Sequence, residues 1–226
     1  MRHLTWGGHW AGQARARGLR LGTMLAPERN WHVLLVGGAS GVGKTTLAHG
    51  LGQRFGVNVT QIDDIQAALE VVTSPEQQPD LHYWRTNWAD FSPYTDQQHI
   101  EHFLRVARTV FGPVIAAVIT DRLVGGLPTI IEGGFILPES ATRAQFGQHE
   151  NGGRVHALFV DEGEQDEISA NFVDRQGGDA TLPARTSWLK ARWLRNECER
   201  LGIPTISARP RETAANRTVE ILATST

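Results

Sequence analysis

The sequence is poor in cysteine and lysine, and each shortage limits what the protein can be. Cys198 is the only cysteine among 226 residues, so these residues cannot form an internal disulfide or a cysteine-based metal cluster. This usage predicts a reducing, cytoplasmic compartment. Only Lys44 and Lys190 are lysines, and the other basic side chains, apart from histidine, are arginine. A lysine at a particular position therefore indicates a particular purpose.

Long apolar runs and an excess of charge are also missing. No apolar run approaches the ~20 residues that a membrane span needs, and the first residues lack the apolar segment of a secretory signal. Basic residues number 22 and acidic residues 24, which gives a formal net charge of -2. Without a basic field, nucleic acid and anionic membranes are disfavoured as partners. We therefore expect a protein that works without nucleic acid or membrane.

The length of 226 residues fits one domain of ordinary size, preceded by a different kind of segment. Residues 1–30 are rich in arginine and glycine and show no sustained hydrophobic period, which predicts a flexible arm. Two interpretations stay open for it. It is either an extension upstream of a true start at Met24, or a basic tail that contacts an acidic partner. Residues 31–226 form the predicted domain.

From Trp31 onward, short apolar runs alternate with helical patterns. Such alternation predicts a three-layer α/β fold with a five-stranded, mainly parallel sheet and helices on both faces. In this fold the ligands bind at the carboxyl ends of the strands. The predicted strands are residues 32–36, 58–62, 129–132, 155–160 and 205–208.

The segment GGASGVGKTT, residues 37–46, follows the first predicted strand and leads into a helical pattern. Gly38, Gly43, Lys44 and Thr45 match the Walker A pattern GxxxxGK[ST] in the strand, loop and helix context that it requires. Glycines let the backbone amides turn inward, and the following helix adds the positive end of its dipole. The loop is therefore a predicted binding site for the phosphates of ATP.

Each side chain of this loop has an expected role. Lys44 would reach the terminal phosphates as a point charge, and the Thr45 hydroxyl would complete the coordination of a bound Mg²⁺. ATP and Mg²⁺ are the predicted cofactors. The predicted nucleotide-binding residues in the loop are Gly38, Ala39, Ser40, Gly41, Val42, Gly43, Lys44, Thr45 and Thr46.

Acidic residues follow two of the predicted strands. Asp63 lies at the carboxyl end of the second strand, where it can accept the proton of an attacking hydroxyl or hold metal-bound water. Asp64 opens the next helical pattern and is predicted to cap its first amides. Glu132 ends the third strand, before two glycines, where an acid can orient Mg²⁺ or position the acceptor. Whether Asp63 or Glu132 is the base stays open.

The segment LHYWRTNW, residues 81–88, has one aromatic edge at helical spacing. It serves either core packing or substrate binding. In the second interpretation Tyr83 or Trp84 forms a wall of the acceptor site, and Arg85 grips a carboxylate or phosphate in bidentate fashion.

A long helix is predicted over residues 95–123, with a break or kink at Gly112 and Pro113. His99 and His102 share one face of this helix. Two histidines without a third ligand favour surface or boundary positions over a metal site.

Arginines flank a connection rich in glycine, aspartate and proline near residues 164–186. This pattern predicts a short lid that closes over the phosphates. Arg175 is the first candidate to stabilise the charge of the phosphoryl group during transfer, and Arg185 is the second. A surface role for either arginine stays open.

The segments GGASGVGKTTLA, IDDI and PTIIEGGFILP resemble those of 2-phosphoglycerate kinase-like proteins, within the adenylate kinase-like P-loop small-molecule kinases. The resemblance covers roughly residues 33–138. It implies transfer of the γ-phosphoryl group of ATP to a hydroxyl of a small molecule, either an acidic metabolite such as a phosphoglycerate or a hydroxylated natural product. The loop and its aspartate are also similar to those of chloramphenicol phosphotransferases, which implies that Asp63 is the base.

The resemblance also implies that a loop after the last strand packs against adenine, where Arg209 or Arg217 would stack. The chain departs from the archaeal 2-phosphoglycerate kinases because it lacks their extra N-terminal domain, and LHYWRTNW does not match their pattern. Alternatives to a kinase are a non-catalytic ATP-binding sensor and an ATPase module that needs an arginine from a neighbouring subunit. The sequence leaves monomer and homodimer equally open.

Overall fold

The structure is a computed structural model, and it describes residues 26–86, 94–176 and 181–224. The side chains of residues 84–86 and 175–176 also lie outside the description. Most of the predicted N-terminal arm, residues 1–25, therefore lies outside the described residues, and so does part of the predicted lid.

Seven strands are present in the described parts of the chain. They are β1 (Val33–Gly38), β2 (Asn58–Gln61), β3 (Thr129–Glu132), β4 (Gln145–Phe146), β5 (His149–Glu150), β6 (Val155–Val160) and β7 (Thr205–Ile206). Five of them form one parallel sheet in the order β2-β3-β1-β6-β7, and β4 and β5 form a separate antiparallel hairpin. The predicted five-stranded parallel sheet is confirmed.

Helices connect the strands. They are α1 (Lys44–Phe55), α2 (Ile62–Val72), α3 (Pro79–Thr86), α4 (Asp96–Val106), α5 (Gly112–Gly125), α6 (Gln165–Gln176), α7 (Thr181–Leu201) and α8 (Arg211–Thr224). A π-helical turn, Ala107–Phe111, joins α4 to α5, and a short 3-10 turn, Pro138–Ser140, follows β3.

The side chains of β1 alternate between two hydrophobic cores. Leu34 and Val36 pack on the face covered by α1 and α8, whereas Val33 and Leu35 pack on the face covered by α4 and α5. This alternation arises because successive side chains of a strand point to opposite faces of its sheet. The predicted three-layer α/β architecture is therefore confirmed.

The predicted long helix is confirmed, because the helical path continues from Asp96 to Gly125. It does not break at Gly112 and Pro113, so that half of the prediction is wrong, and the alternative of a kink there stays a prediction. Proline lacks an amide hydrogen, and its ring crowds the carbonyl four residues earlier. Here Pro113 lies in the first turn of α5, directly after the wide π-helical turn, where a missing donor interrupts the hydrogen-bond ladder least. The widened turn accommodates the proline without ending the helix.

The same helical path, Asp96–Gly125, is long and apolar enough to span a membrane by length and composition, with a mean hydropathy of 1.6 over its best window. This corrects the sequence-based expectation that no such stretch exists. A core helix of a globular domain meets the same two criteria, and here Phe103, Ile115 and Ile119 are buried against the sheet. The observation is therefore weak evidence for a membrane span.

Candidate active site

The Walker A loop joins β1 to α1 in a conformation that requires glycine. Gly38 has a φ of 141°, and a Cβ atom there would lie 2.5 Å from the carbonyl oxygen of Val160. Gly43 has a φ of 94°, and its Cβ would lie 2.9 Å from the Cβ of Ala208. Residues with a side chain rarely adopt these φ values, and neither position has room for one. The two glycines thus allow the loop to curl closely around a ligand.

The N-terminus of α1 is suited to bind an anion. Gly43 precedes the helix, so no side chain caps its first amides, and no acidic residue occupies its first turn. The first amides of a helix lack partners within the helix and carry the positive end of its dipole. A phosphate group is therefore a fitting partner for these amides.

Lys44, Thr45 and Glu132 lie together at the start of α1. The Lys44 ammonium donates to the Ala39 carbonyl at 3.0 Å and lies 3.8 Å from Glu132 Oε1. The Thr45 hydroxyl donates to Glu132 Oε2 at 3.2 Å. The sheet sets this arrangement, because Glu132 on β3 is in register with Val36, shortly before the loop. The structure thus brings together three residues that the sequence assigned to phosphate and metal binding.

Glu132 is almost completely buried, with 2% of its surface exposed. Burial raises the pKa of its carboxyl group, and the nearby Asp63 acts in the same direction. The Lys44 charge and the Thr45 hydroxyl lower the same pKa and oppose this effect. A cation next to this carboxyl group would therefore favour its ionised form.

The oxygen atoms of Thr45 and Glu132 fit a magnesium ion. Mg²⁺ prefers oxygen ligands and is commonly held by one or two protein side chains together with phosphates and water. Residues 26–86, 94–176 and 181–224 contain no group of three or more histidine, cysteine or acidic side chains arranged to hold a metal by themselves. An ion at this site would depend on the nucleotide for its remaining ligands.

A cleft of about 480 Å³ opens in front of the loop. Its walls include Lys44, Thr45 and the exposed side chain of Asp63. The predicted cap at Asp64 is wrong, because α2 begins at Ile62 and both aspartates lie in its first turn without a side-chain cap. Asp63, in that first turn, lines the same cleft as Lys44, the predicted phosphate-binding lysine.

The cleft has further walls that the sequence did not reveal. Asn171 on α6 donates to the Gly41 carbonyl at 2.7 Å, and Arg211 on α8 approaches the Asn171 side chain at 3.5 Å. Both residues line the cleft, together with Gln61 and Asp174. No local motif marks Asn171, since its contact with Gly41 spans 130 positions of sequence. The sequence feature that could have identified Arg211 as a site residue is its position shortly after the last strand, β7.

A second cavity of about 260 Å³ adjoins the first and shares Gly43, Thr46 and Arg211 with it. Small residues form much of its wall, among them Gly50, Ala208 and Ala215. Small side chains leave room for a flat ring to approach the backbone. Ala208 and Arg211 also line this cavity, and they flank the start of the loop that the resemblance predicts to pack against adenine.

Arg217 lies on α8 and is held by hydrogen bonds to the loop after β7. Its guanidinium group donates to the carbonyl groups of Ser207, Arg209 and Pro210 at 2.9, 2.7 and 3.4 Å, so it organises the loop after β7. Arg209 forms ion pairs with Glu162 at 3.3 Å and with Glu167 at 2.6 Å. Stacking of either arginine on adenine stays a prediction.

Tyr83, predicted to line the acceptor site, lies on α3 with its hydroxyl 2.6 Å from that of Tyr94. Its ring packs against His102 with 4.4 Å between the ring centroids. The expectation that His99 and His102 lie at the surface or boundary is wrong, since 3% and 2% of their surfaces are exposed. Both rings are covered because Tyr83 packs against His102, Tyr94 packs against His99, and α4 also packs against α7.

Three other predicted residues cannot be placed by their side chains. Those of Trp84, Arg85 and Arg175 lie outside the described residues. Arg185, the second lid candidate, pairs with Asp96 at the start of α4 at 2.6 Å. The predicted lid near residues 164–186 comprises α6, the start of α7 and a connection outside the described chain, and its closure stays a prediction.

His102 should make the protein sensitive to acid. Burial and the nearby Arg105 charge lower its pKa from 6.5 to about 4. Between these pH values the unfolded chain binds a proton that the folded chain does not, so stability is complete above pH 6.5 and falls toward pH 4. We expect a loss of about 1–3 kcal/mol in unfolding free energy from this residue. Urea titrations at several pH values measure it.

The variant His102→Gln should be less stable than the parent at neutral pH because its packing is altered. Its loss of stability on acidification should nevertheless be smaller, by the amount that His102 contributes. His156→Gln, at a partly exposed ring, serves as the control and should keep the pH dependence of the parent. An identical acid loss in the parent and in His102→Gln would contradict the assignment.

Cys198 is buried on α7, and burial raises the pKa of its thiol to about 12. The thiolate is the reactive form of cysteine. The structure therefore assigns Cys198 to packing.

The parallel sheet, its strand order and the glycine loop at the carboxyl end of β1 define the P-loop NTPase fold. Within this class, the chain is similar to the 2-phosphoglycerate kinase of Methanocaldococcus jannaschii, with 34% identity over 108 residues. The match covers 47% of this chain and 35% of that protein, so the chain spans about a third of the relative's length. The resemblance noted from the sequence is confirmed.

Solved structures support the same fold. A sugar kinase from Janibacter sp. HTCC2649 aligns with a TM-score of 0.50 and 20% identity over 86% of this chain and 96% of its own. The protein TT1252 from Thermus thermophilus aligns with a TM-score of 0.50 and 17% identity over 88% of this chain and 100% of its own. At these identities the likeness concerns the fold. No family model matches the chain.

Proposed function

We propose that the protein is an ATP-dependent kinase that transfers the γ-phosphoryl group to a hydroxyl of a small molecule. The observation that carries the proposal is one cleft lined by both halves of such a site. Gly43, Lys44 and Thr45 provide the phosphate-binding half, and Asp63 provides a carboxylate for the acceptor. Joining a phosphate cradle to a potential base in one cavity is what phosphoryl transfer to a hydroxyl requires.

The residues have separate tasks in this proposal. The amides of the loop and of the first turn of α1 bind the phosphates, while Lys44 turns from the Ala39 carbonyl toward the nucleotide. Asp63 accepts the proton of the acceptor hydroxyl as the hydroxyl oxygen bonds to the γ-phosphorus, while the bond from that phosphorus to the β–γ bridging oxygen breaks and ADP leaves. Thr45 and Glu132 would hold Mg²⁺, which supplies charge neutralisation on the phosphates when it is bound. The cavity beside Gly50 and Ala215 receives the adenine ring of the nucleotide.

The acceptor is expected to be compact, and the similarity to a 2-phosphoglycerate kinase makes phosphorylated or carboxylated alcohols the first candidates. Because that match covers 35% of the relative, the substrate of that 2-phosphoglycerate kinase is one candidate acceptor among several. Hydroxylated natural products are the second group.

The test is the release of ADP with Mg²⁺-ATP and four acceptors: 2-phosphoglycerate, glycerate, glycerol and glucose. We expect at least one to raise ADP release about tenfold or more above the background hydrolysis of ATP. If the protein binds Mg²⁺-ATP but neither these acceptors nor a wider panel of hydroxylated metabolites raise the rate of ADP release, the kinase proposal is wrong and the sensor is favoured. If ADP is released as fast without an acceptor as with one, the ATPase is favoured.

A further inference from the structure

The first glycine after β3 packs directly against the turn that carries Asp63. A Cβ atom added to Gly133 would lie 2.6 Å from the Cβ atom of Ile62 and 2.7 Å from its Cγ1 atom. Carbon atoms that are not bonded prefer separations of about 3.5–4.0 Å, so no side chain fits between these two residues. Ile62 directly precedes Asp63 in the first turn of α2. The space around Gly133 is therefore linked to the position of Asp63.

The register of the sheet creates this close approach. Gln61 on β2 pairs with Glu132 on β3, so the residues that follow them, Ile62 and Gly133, are also neighbours. The chain passes directly from β2 into α2 at this point. The first side chain of the helix, Ile62, is buried in the core that α4 and α5 cover. It therefore occupies the space that a larger residue at position 133 would need.

The loop that contains Gly133 is held on its other sides. The Gly133 amide donates to the Val36 carbonyl at 3.2 Å, and Val36 lies two residues before Gly38 of the Walker A loop. Farther along the loop, the ring of Phe135 stacks on that of Phe111, with 4.2 Å between the ring centroids and 9° between the planes. The loop is thus fixed to β1 and to the π-helical turn before α5.

The helix α2 is held much less firmly than this loop. Ile62 is its only buried residue, and Val71 and Val72 at its end are exposed. An element with few buried contacts moves more readily than one that is anchored in the core. Crowding between Gly133 and Ile62 should therefore displace the first turn of α2, and Asp63 with it, rather than the loop after β3.

We propose that Gly133 is a positioning residue, whose missing side chain sets the distance between Asp63 and the Walker A loop. This inference rests on the proposed kinase function, in which Asp63 is the base for the acceptor hydroxyl. Transfer requires the reacting atoms to be aligned, and a misplacement of about 1 Å can lower the rate about 10²-fold. Glycine at this position keeps α2 close enough for Asp63 to reach a hydroxyl that faces the γ-phosphoryl group.

The variant Gly133→Ala tests the proposal. Gly133 does not have a positive φ, so alanine changes the available space and not the backbone conformation. We expect kcat for acceptor-dependent ADP release to fall about 10–100-fold, because Asp63 is displaced. The affinity for Mg²⁺-ATP, measured by calorimetry, should stay within about twofold of the parent, because the Walker A loop keeps its position.

Gly134→Ala is the matched control. Gly134 also lacks a positive φ, and its Cβ atom would meet only the Gly38 carbonyl oxygen, at an ordinary contact distance of 3.9 Å. This variant should keep kcat within about twofold of the parent. An equal loss of kcat in Gly133→Ala and Gly134→Ala would mean that the contact with Ile62 is not the cause, and it would overturn the proposal.

Combining Gly133→Ala with Asp63→Asn separates positioning from a general loss of stability. If alanine displaces the base, Asp63→Asn should lower kcat much less in the Gly133→Ala background than in the parent, because the base is already misplaced. A variant that is only less stable would show a lower Tm together with the full loss from Asp63→Asn. The same fold-loss from Asp63→Asn in both backgrounds would therefore overturn the proposal.

Ile62→Ala tests the contact from its other side, because it removes the Cγ atoms and keeps the Cβ atom. The fold-loss of kcat that Gly133→Ala causes should be at least about threefold smaller in this background than in the parent. An equal loss in both backgrounds would contradict the assignment. Should Gly133→Ala alone fail to fold, Gly133→Ala/Ile62→Ala replaces it in the comparison with Asp63→Asn, with Ile62→Ala as the reference.

Crystal structures of the parent and of Gly133→Ala measure the displacement without relying on activity. Asp63 should move away from Lys44 by about 1 Å, which brings the crowded carbon atoms back to an ordinary contact distance. If Asp63 stays in place, or if Glu132 moves instead, the proposal is wrong. If Asp63 moves as expected and the parent releases no ADP with any acceptor, Gly133 still sets this distance and the kinase proposal is wrong.

Discussion

Replacing Lys44 with methionine should remove nearly all activity, with kcat/KM for acceptor-dependent ADP release reduced about 10²–10³-fold. The lysine is the charged side chain of the loop, and its ammonium is held 3.0 Å from the Ala39 carbonyl at the floor of the cleft. In the proposed mechanism it stabilises the charge on the phosphates, and methionine has a similar volume without the charge. Calorimetry with Mg²⁺-ATP and the ADP assay measure both effects.

Two variants control this result. Arg54→Met removes a positive charge from the exposed last turn of the same helix and should behave like the parent. Lys44→Arg keeps the charge but should not recover activity. Lys44 is 8% exposed, and the space around its ammonium group is too small for a guanidinium group. Unchanged ATP binding and turnover in Lys44→Met would refute the nucleotide site as a whole.

Replacing Asp63 with asparagine should have the second large effect, lowering kcat about 10²–10⁴-fold while the affinity for Mg²⁺-ATP is retained. The reason is that Asp63 lines the acceptor side of the cleft and is the proposed base for the acceptor hydroxyl. Asparagine keeps the size and polarity of the side chain but accepts a proton poorly. Steady-state kinetics with the best acceptor measure the loss.

Neighbouring carboxylates make this test selective. Asp64→Asn changes the next residue, which is exposed in the same first turn of α2, and should retain activity. Glu132→Gln should instead raise the Mg²⁺ concentration needed for half-maximal activity, because Glu132 contacts Thr45 and is proposed to hold Mg²⁺ with it. If Glu132→Gln abolishes kcat at saturating Mg²⁺-ATP while Asp63→Asn retains it, then Glu132 is the base.

The strands of the sheet were predictable because their side chains follow local rules. Thr129–Glu132 and Val155–Val160 match the predicted limits, and the other three strands differ by a few residues at their ends. The first strand extends to Gly38 rather than ending at Val36, because the two glycines continue the pairing with β6. Glycine gives no hydrophobic pattern, so the sequence did not show that the strand runs into the loop.

The long helix and its histidines were harder to predict. Gly112 and Pro113 usually end a helix, and only the preceding π-helical turn makes the proline acceptable. Likewise, the spacing of His99 and His102 puts both on one face of α4, but it does not say which face is buried. The packing of α4 against α7 and against Tyr83 and Tyr94 decides this.

By itself, the sequence determined the Walker A loop, the parallel α/β order and Glu132 at the end of its strand, since these depend on glycine conformation, hydrophobic period and position along a strand. The tertiary structure alone decided which distant residues complete the site. Ser187 and Ser40 are 147 positions apart, yet they touch and thereby hold α7 against the Walker A loop. Contacts of this kind depend on how helices pack on the sheet, and no local pattern in the chain encodes them.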